Sequence, residues 1–273
     1  MTSVLDVIIV SHNTRVDVLN CLASLHGARP AGLGRIIVVD NGSQDDSVAA
    51  IRSAWPDVTI VALDTNAGFG AANNLALRHA TSALVLFLNS DTVVPAGAIE
   101  TLVERLDARQ VTAAGPRLVG ADGRPEISYG RMLTPWTELV QRARVRIARR
   151  SGRLARRYVA SLTTAERLVD WVSGACLLAR RADVVAAGGF DERFFLYEED
   201  VDLCASLRAR GGRILFTPHT TVVHLRGRSA GGAGAAPGAS HYDRSHLAFY
   251  AKHAPRWVPW LERWLRLRGR AIR

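Results

Sequence analysis

The sequence predicts an α/β protein with a mainly parallel central sheet and helices on both faces. Three observations carry that expectation. Short β-branched or leucine-rich runs recur, "LDVIIVSH", "RIIVVDNGS", "VTIVALDTN" and "ALVLFLNSD", each closing on polar or turn residues. Between them lie patterns such as "TRVDVLNCLASLHG" and "DDSVAAIRSAW", whose apolar residues recur with helical spacing. The strand runs are continuously apolar rather than alternating, as expected of strands buried on both faces.

Taken in order, the first run ends at Ser11, His12 and Asn13, the second at Asp40, Asn41 and Ser43, the third at Asp64 and Asn66, and the fourth at Asn89, Ser90 and Asp91. Ligands of parallel sheets bind beyond the carboxyl ends of the strands. One polar strand end is an ordinary turn, but four in succession mark a site. In "NAGFGAANN", Gly68 and Gly70 let the backbone approach a ligand closely, and Asn73 is suited to holding that loop in shape.

The middle of the chain changes character. From Val140 to Leu162 it is arginine-rich and amphipathic without a strand signal, which predicts a helical insertion over about residues 138–165. "RLVDWVSGACLLARRADVVAAGGFDERF" then reads as a strand, a helix and a glycine turn. "FFLYEEDVDLCASLRARGG" gathers Glu198, Glu199, Asp200 and Asp202 beside large apolar side chains. By itself that is an ordinary helix start, where exposed N–H groups and the macrodipole favour carboxylates. Residues 227–240, "GRSAGGAGAAPGAS", read as a low-complexity flexible loop. The expected organisation is a domain over 1–254 and a basic C-terminal helix over 255–273, bearing Trp257, Trp260 and Trp264 among arginines.

Composition narrows the function. A hydrophobic fraction of 48% with 22% charged residues is that of a globular chain, not a disordered one. The net charge of +10, nearly all from arginine with Lys252 the only lysine, points to an anionic partner: nucleic acid, phosphorylated substrate or acidic membrane. Cys21, Cys176 and Cys204 lack zinc spacing and read as reduced, buried thiols. The start "MTSVLDVIIVSHNT" lacks the basic region of a signal peptide, and no run approaches the roughly 18 apolar residues of a membrane span. The expected location is therefore cytoplasmic. No nucleic-acid-binding motif accompanies the basic patches, so no nucleic acid partner is expected. "NAGFGAANN" lacks the third glycine of a dinucleotide fingerprint and there is no "GKS" or "GKT" phosphate loop.

The ordered set "VIIVSHNT", "VVDNGSQDDS", "NAGFGAANN", "FLNSDT", "VSGACLLARR", "GGFDERFFLYEEDVDLCASLRARG", "VVHLRGRS" and "FYAKH" resembles the inverting family 2 glycosyltransferases of the GT-A fold, especially the rhamnosyltransferase-like branch. The resemblance runs from about Val7 to His253. It implies a Rossmann-like nucleotide-binding half and transfer of a sugar from a nucleotide-diphosphate donor, UDP- or dTDP-linked, to an acceptor hydroxyl with inversion. It also implies a lipid-linked glycan acceptor in cell-surface polysaccharide assembly, and a divalent cation, manganese or magnesium.

Residue by residue, the resemblance assigns Asp91 and His224 to the metal, although Asn89-Ser90-Asp91 stands where the wider group has Asp-X-Asp. Asp40 and Asn41 fall where the family contacts the nucleoside, with Ser11, His12, Asn13, Asn66, Gly68 and Ser90 in the same nucleotide pocket. Asp200 corresponds to the general base, with Glu199 orienting the loop or acceptor and Asp202 serving as a helix-start residue. Trp171, Ser173 and Gly174 are placed at the floor of the sugar site. The apolar flank Phe194 to Tyr197 would shield the reaction from water. Two other readings stay open at this level: a degenerate protein that binds anionic lipid or polysaccharide without turnover, kept alive by Asn89, and a sugar-phosphate nucleotidyltransferase. The Arg142–Arg157 segment and the tryptophan-bearing tail add the expectation of peripheral binding to an anionic membrane at the inner face of the plasma membrane.

Overall fold

A computed structural model describes residues 5–148, 152–225 and 237–267, with the side chains of 237–240 excepted. Its strands are β1 (Leu5–Ser11), β2 (Leu33–Asn41), β3 (Thr59–Leu63), β4 (Leu84–Asn89), β5 (Thr92–Val93), β6 (Ala113–Val119), β7 (Tyr129–Gly130), β8 (Arg167–Val169), β9 (Trp171–Val172), β10 (Cys176–Arg180) and β11 (Ile214–His224). Its helices are α1 (Arg15–Ala28), α2 (Ser47–Ala54), α3 (Phe69–Leu77), α4 (Ala98–Ala108), α5 (Pro135–Ala148), α6 (Arg153–Leu162), α7 (Arg181–Ala186), α8 (Glu199–Ala209), α9 (Pro237–His253) and α10 (Val258–Leu267).

The four apolar runs of the sequence are β1 to β4, and they pair in parallel in the order β3-β2-β1-β4. The sheet continues through β10, β6, β11 and β5, with β8 also on β11. β10 runs antiparallel to β4 and β6, while β11 is parallel to β6. Successive residues of a strand face opposite sides, and here both sides are core. Val7, Ile9, Leu86 and Leu88 pack under α1, α2 and α4, whereas Ile8, Val39, Val85 and Phe87 pack under α3, α7 and α8. This two-sided burial is why the strands read as continuous apolar runs.

A third apolar cluster sits beside the sheet, where Phe194 and Val201 meet Phe249 and Tyr250 of α9 and Leu261 and Leu265 of α10. The start of α8 is thus held from outside by the C-terminal helices. Ion pairs reinforce it: Asp202, almost fully buried, accepts Lys252 Nζ at 2.8 Å and His253 Nε2 at 2.6 Å. Asp202 lies in the first turn of α8 as the sequence suggested, but its carboxylate is spent on tying α9 down.

Two local readings need correction. The stretch expected to supply a single strand before α7 forms β8, β9 and β10, because the chain changes sheet partner twice. β8 pairs with β11, β9 pairs with β7 in a separate small sheet, and β10 enters the main sheet. Asp170, bonded to Met132 N and Arg208, and the Ser173–Gly174 turn mark the two switches. Of the loop expected over 227–240, residues 237–240 open α9, with Pro237 in the first turn, where its missing N–H costs nothing. The remainder of that loop, Arg226 to Ser229 of "VVHLRGRS", and the tail beyond Leu267 lie outside the described residues.

Candidate active site

The helix start that drew attention in the sequence is built on strain. Tyr197 and Glu198 both adopt left-handed backbone, with φ of 73° and 67°, a conformation that costs L-residues with side chains. The turn brings Asp200 against the Ser173–Gly174 turn. Gly174 N donates to Asp200 Oδ2 at 2.7 Å and Val201 N donates to Oδ1 at 2.8 Å. A Cβ on Gly174 would lie 3.1 Å from that of Asp200, so only glycine allows this approach without a shift. Ser173 is placed in turn by its N–H to Ser128 O at 2.8 Å.

Burial raises Asp200 above the ordinary carboxylate range, against the Gly174 and Val201 N–H groups that favour its ionised form. Glu199 is raised well above its ordinary value, by burial and then by the charge of Asp200, and its Oε2 is buried without a hydrogen bond. Both acids are thus raised by burial, and the charge of Asp200 adds to the shift at Glu199.

Elsewhere in the site, β-pairing brings two distant residues together. His224 of β11 pairs with Thr92 of β5, and Leu225 N donates to Asp91 O at 2.9 Å. His224 Nε2 consequently lies 3.4 Å from Asp91 Oδ1 and 3.5 Å from Asn89 Nδ2. Its other nitrogen, Nδ1, faces Glu126 Oε2 at 3.5 Å. Burial works against a charged ring, but the two carboxylates outweigh it and lift His224 to about 9. Glu126 was not anticipated; it lies in "GADGRPEISYG", a stretch with no periodicity, and only the fold reveals its partner.

The remaining strand ends divide between wall and scaffold. His12, Asn41 and Asn66 line the cleft. Asn41 also builds it, since its Oδ1 accepts Ala67 N and its Nδ2 donates to Asn66 Oδ1, both at 2.9 Å. His12 Nδ1 is 2.9 Å from Asn41 O. Asp40 is buried, with Oδ1 accepting Ser43 N at 2.9 Å and Oδ2 lacking any hydrogen bond. That oxygen is a free acceptor at the end of β2. Ser11 and Ser90 turn inward and meet through Thr14, at 2.9 and 3.1 Å. Asn13 braces the loop after β2, bonding Ser43 Oγ and Gln44 N. Gly68, with φ of 91°, faces Phe195, whose carbonyl would stand 2.8 Å from an added Cβ. Its freedom, and that of Gly70 against Phe190, serves contact within the protein. Trp171 donates its Nε1 to Arg131 O at 2.9 Å and covers Gly130, so it braces β7 behind the Ser173–Gly174 turn.

One cleft of about 680 Å³ is lined by Asp91 and His224 and by Gly174, Glu199 and Asp200. Phe195, Leu196 and Tyr197 form its apolar rim, while Phe194 belongs to the core behind it. The cleft therefore holds a half-buried, backbone-supported carboxylate together with a histidine–carboxylate pair.

Such a cleft at the carboxyl ends of the sheet's parallel half suits a group-transfer enzyme, and sequence comparison gives the class. Residues 6–160 match the family model "Glycosyl transferase family 2", so the chain belongs to that family and is an inverting glycosyltransferase. It is similar to an N-acetylglucosaminyl-diphospho-decaprenol L-rhamnosyltransferase of Mycobacterium tuberculosis, 29% identical over an alignment covering 94% of this chain and 87% of the relative. Among solved structures, it resembles a mannosyltransferase of Pyrobaculum calidifontis in complex with GDP-Man and Mn2+, with a TM-score of 0.60 at 18% identity, covering 96% of this chain and 69% of that one. It also resembles Staphylococcus aureus TarS 1-349 in complex with UDP-GlcNAc, with a TM-score of 0.62 at 16% identity, covering 91% and 66%. These likenesses establish the GT-A fold.

Proposed function

We propose that this chain transfers rhamnose from a dTDP- or UDP-linked donor to a hydroxyl of a lipid-linked glycan at a membrane surface, with Asp200 as the general base. The observation that carries the reading is that Asp200, Asp91 and His224 line one cleft. Rhamnose and the lipid-linked acceptor are drawn from the name of the mycobacterial relative, which is similar over nearly its whole length.

The chemistry follows from the walls. The acceptor oxygen attacks the anomeric carbon from the face opposite the leaving group as Asp200 takes its proton. The bond from that carbon to the diphosphate oxygen breaks, and the nucleoside diphosphate leaves with inversion. General-base assistance of this kind typically contributes about 10²–10⁴ in rate. Glu199 is suited to hydrogen-bond a sugar hydroxyl and so orient the acceptor. Asp40 Oδ2 is the natural acceptor for a base imide or ribose hydroxyl, and the apolar rim limits access of water to the donor.

Asp91 and His224 fit a divalent cation. Asp91 Oδ1 is buried without a hydrogen bond, and His224 Nε2 lies close to it. Among the described residues, no group of three or more His, Cys, Asp or Glu side chains forms a metal site, so further ligands would come from diphosphate oxygens and water. The cation would supply charge neutralisation for the leaving diphosphate. A binding protein without turnover would have no use for a desolvated carboxylate supported by two N–H donors.

No helix among the described residues is long and apolar enough to cross a membrane. The surface nevertheless suits a peripheral position. Trp136 and Leu139 on α5, Leu154 on α6, and Trp260 and Leu267 on α10 are exposed among arginines, and Arg142 of α5 lies over the Trp264 ring of α10 at 4.9 Å. Incubation of the chain with dTDP-rhamnose or UDP-linked sugars and a prenyl-diphospho-GlcNAc acceptor, with manganese or excess chelator, tests the reading. Glycolipid product that depends on metal is expected. Donor consumption without transfer, or transfer insensitive to chelator, would overturn it.

A further inference from the structure

A buried ionic cluster lies directly behind the left-handed turn that precedes Asp200. His246 of α9 is 1% exposed and sits between two carboxylates. Its Nδ1 is 2.5 Å from Glu198 Oε1 and its Nε2 is 3.0 Å from Glu138 Oε1 of α5. Glu138 is held independently, by Tyr250 Oη at 2.5 Å and Arg142 Nη2 at 2.7 Å. The rings of Tyr242 and Tyr250 flank the imidazole, with centroids 5.3 and 5.1 Å away. One residue upstream in α9, Ser245 Oγ donates to Leu196 O at 2.9 Å.

We propose that His246 is a positioning residue for the transfer: clamped on Glu138, it grips Glu198 and so fixes the left-handed turn that aims Asp200 into the cleft. The proposal rests on the reading of Asp200 as the base. Two consecutive side-chain-bearing residues in left-handed backbone persist only where their surroundings over-determine them, and the Glu198 carboxylate is the handle by which this turn is held. A buried carboxylate left without its cation must move to water or take up a proton. Because Glu198 is joined through the backbone to Glu199 and Asp200, either response displaces the base. Nδ1 is hydrogen-bonded to Glu198, whereas Nε2 faces Glu138 Oε1 at 3.0 Å as an ion-pair contact without hydrogen-bond geometry. Burial alone would lower its pKa, but Glu138 and Glu198 raise it to about 9, leaving the clamp charged at neutral pH.

The test uses His246→Gln and Glu138→Gln in the full chain. The second acts on Glu198 through His246 and through the charge of Glu138 itself, and Glu138 does not line the cleft. Expected for both is a fall in kcat, approaching about 10²-fold for His246→Gln, with the affinity for UDP and dTDP in the presence of Mn2+ unchanged by calorimetry. Gly174 N–H is bonded to Asp200, so its amide resonance reports the position of the base without any turnover, and it should shift in both variants. A variant that loses thermal stability while kcat and the Gly174 resonance stay as in the native chain would make the cluster merely structural and overturn the proposal. Should His246→Gln fail to fold, Glu138→Gln decides by the same readouts. If Asp200→Asn retains turnover, the base assignment fails by itself, and the Gly174 shift still decides whether His246 sets the turn.

Discussion

Gly174 N–H holds the Asp200 carboxylate at 2.7 Å, and no side chain stands between that glycine and the residue it supports. The contact joins the turn after β9 to the first turn of α8. It points the acid into the cleft and stabilises its ionised form where burial opposes it.

Asp200→Asn keeps the size and one acceptor of the side chain while removing its basicity. Turnover should fall by about 10²–10⁴, and calorimetry with dTDP or UDP should show little change, because the proposed base would face the acceptor. Turnover retained within a few-fold would transfer the role to Glu199.

The pH dependence follows from the direction of the shift. Burial raises Asp200, so the proton-accepting form is lost as pH falls through this raised value. The acid limb of kcat/KM should therefore lie above the usual carboxylate pKa of about 4. The same sign means that folding favours the neutral acids: the cost of ionising Glu199 and Asp200 appears as pH rises. Glu199→Gln should accordingly be no less thermally stable than the native chain at neutral pH, and a lower melting temperature there would contradict the argument.

Gly174→Ala probes the same contact from its other side. The added Cβ meets Asp200 at 3.1 Å, so base or turn must shift by a few tenths of an ångström. A loss of kcat without loss of nucleotide affinity is expected from steady-state kinetics and calorimetry. A native kcat would show that the fit between these residues is not needed for the reaction.

Glu126→Gln removes the carboxylate facing His224 Nδ1. Carboxylates behind a ligating histidine fix its orientation and raise its basicity, and their loss typically lowers metal affinity by about 10–100-fold. Titration of Mn2+ in the presence of dTDP or UDP, followed by electron paramagnetic resonance, should show this loss, with a larger one for Asp91→Ala. Equal affinity in all three chains would remove Asp91 and His224 from the metal site.

The membrane reading is tested by sedimentation with anionic and neutral vesicles. Binding should prefer the anionic ones and weaken with salt. Truncation after Ala254 is a poor probe, because Leu261 and Leu265 are buried in the third core cluster. Trp136→Ala, Leu139→Ala and Trp260→Ala remove exposed side chains instead, and should weaken the salt-resistant part of binding. No anionic preference at low salt would exclude the membrane position and leave the transferase chemistry as it stands.

By itself, the sequence determined the parallel half of the sheet, the helices between its strands and the polar ends of those strands. These are local properties: a strand buried on both faces must be apolar at every position, as in "VIIV" and "LVLFL", and a strand end must turn through polar residues. The partner of a charged side chain is not local. Asp200 and Asp202 stand two residues apart in one carboxylate run, yet one meets the Gly174 amide in the cleft and the other Lys252 and His253 outside it. That Asp200 meets the Gly174 amide, that Asp202 ties down α9, that Glu126 backs His224 and that His246 bridges Glu138 and Glu198 were decided by tertiary structure alone. The cost of burying a charge depends on what the rest of the chain brings to meet it, and neither periodicity nor spacing records that meeting.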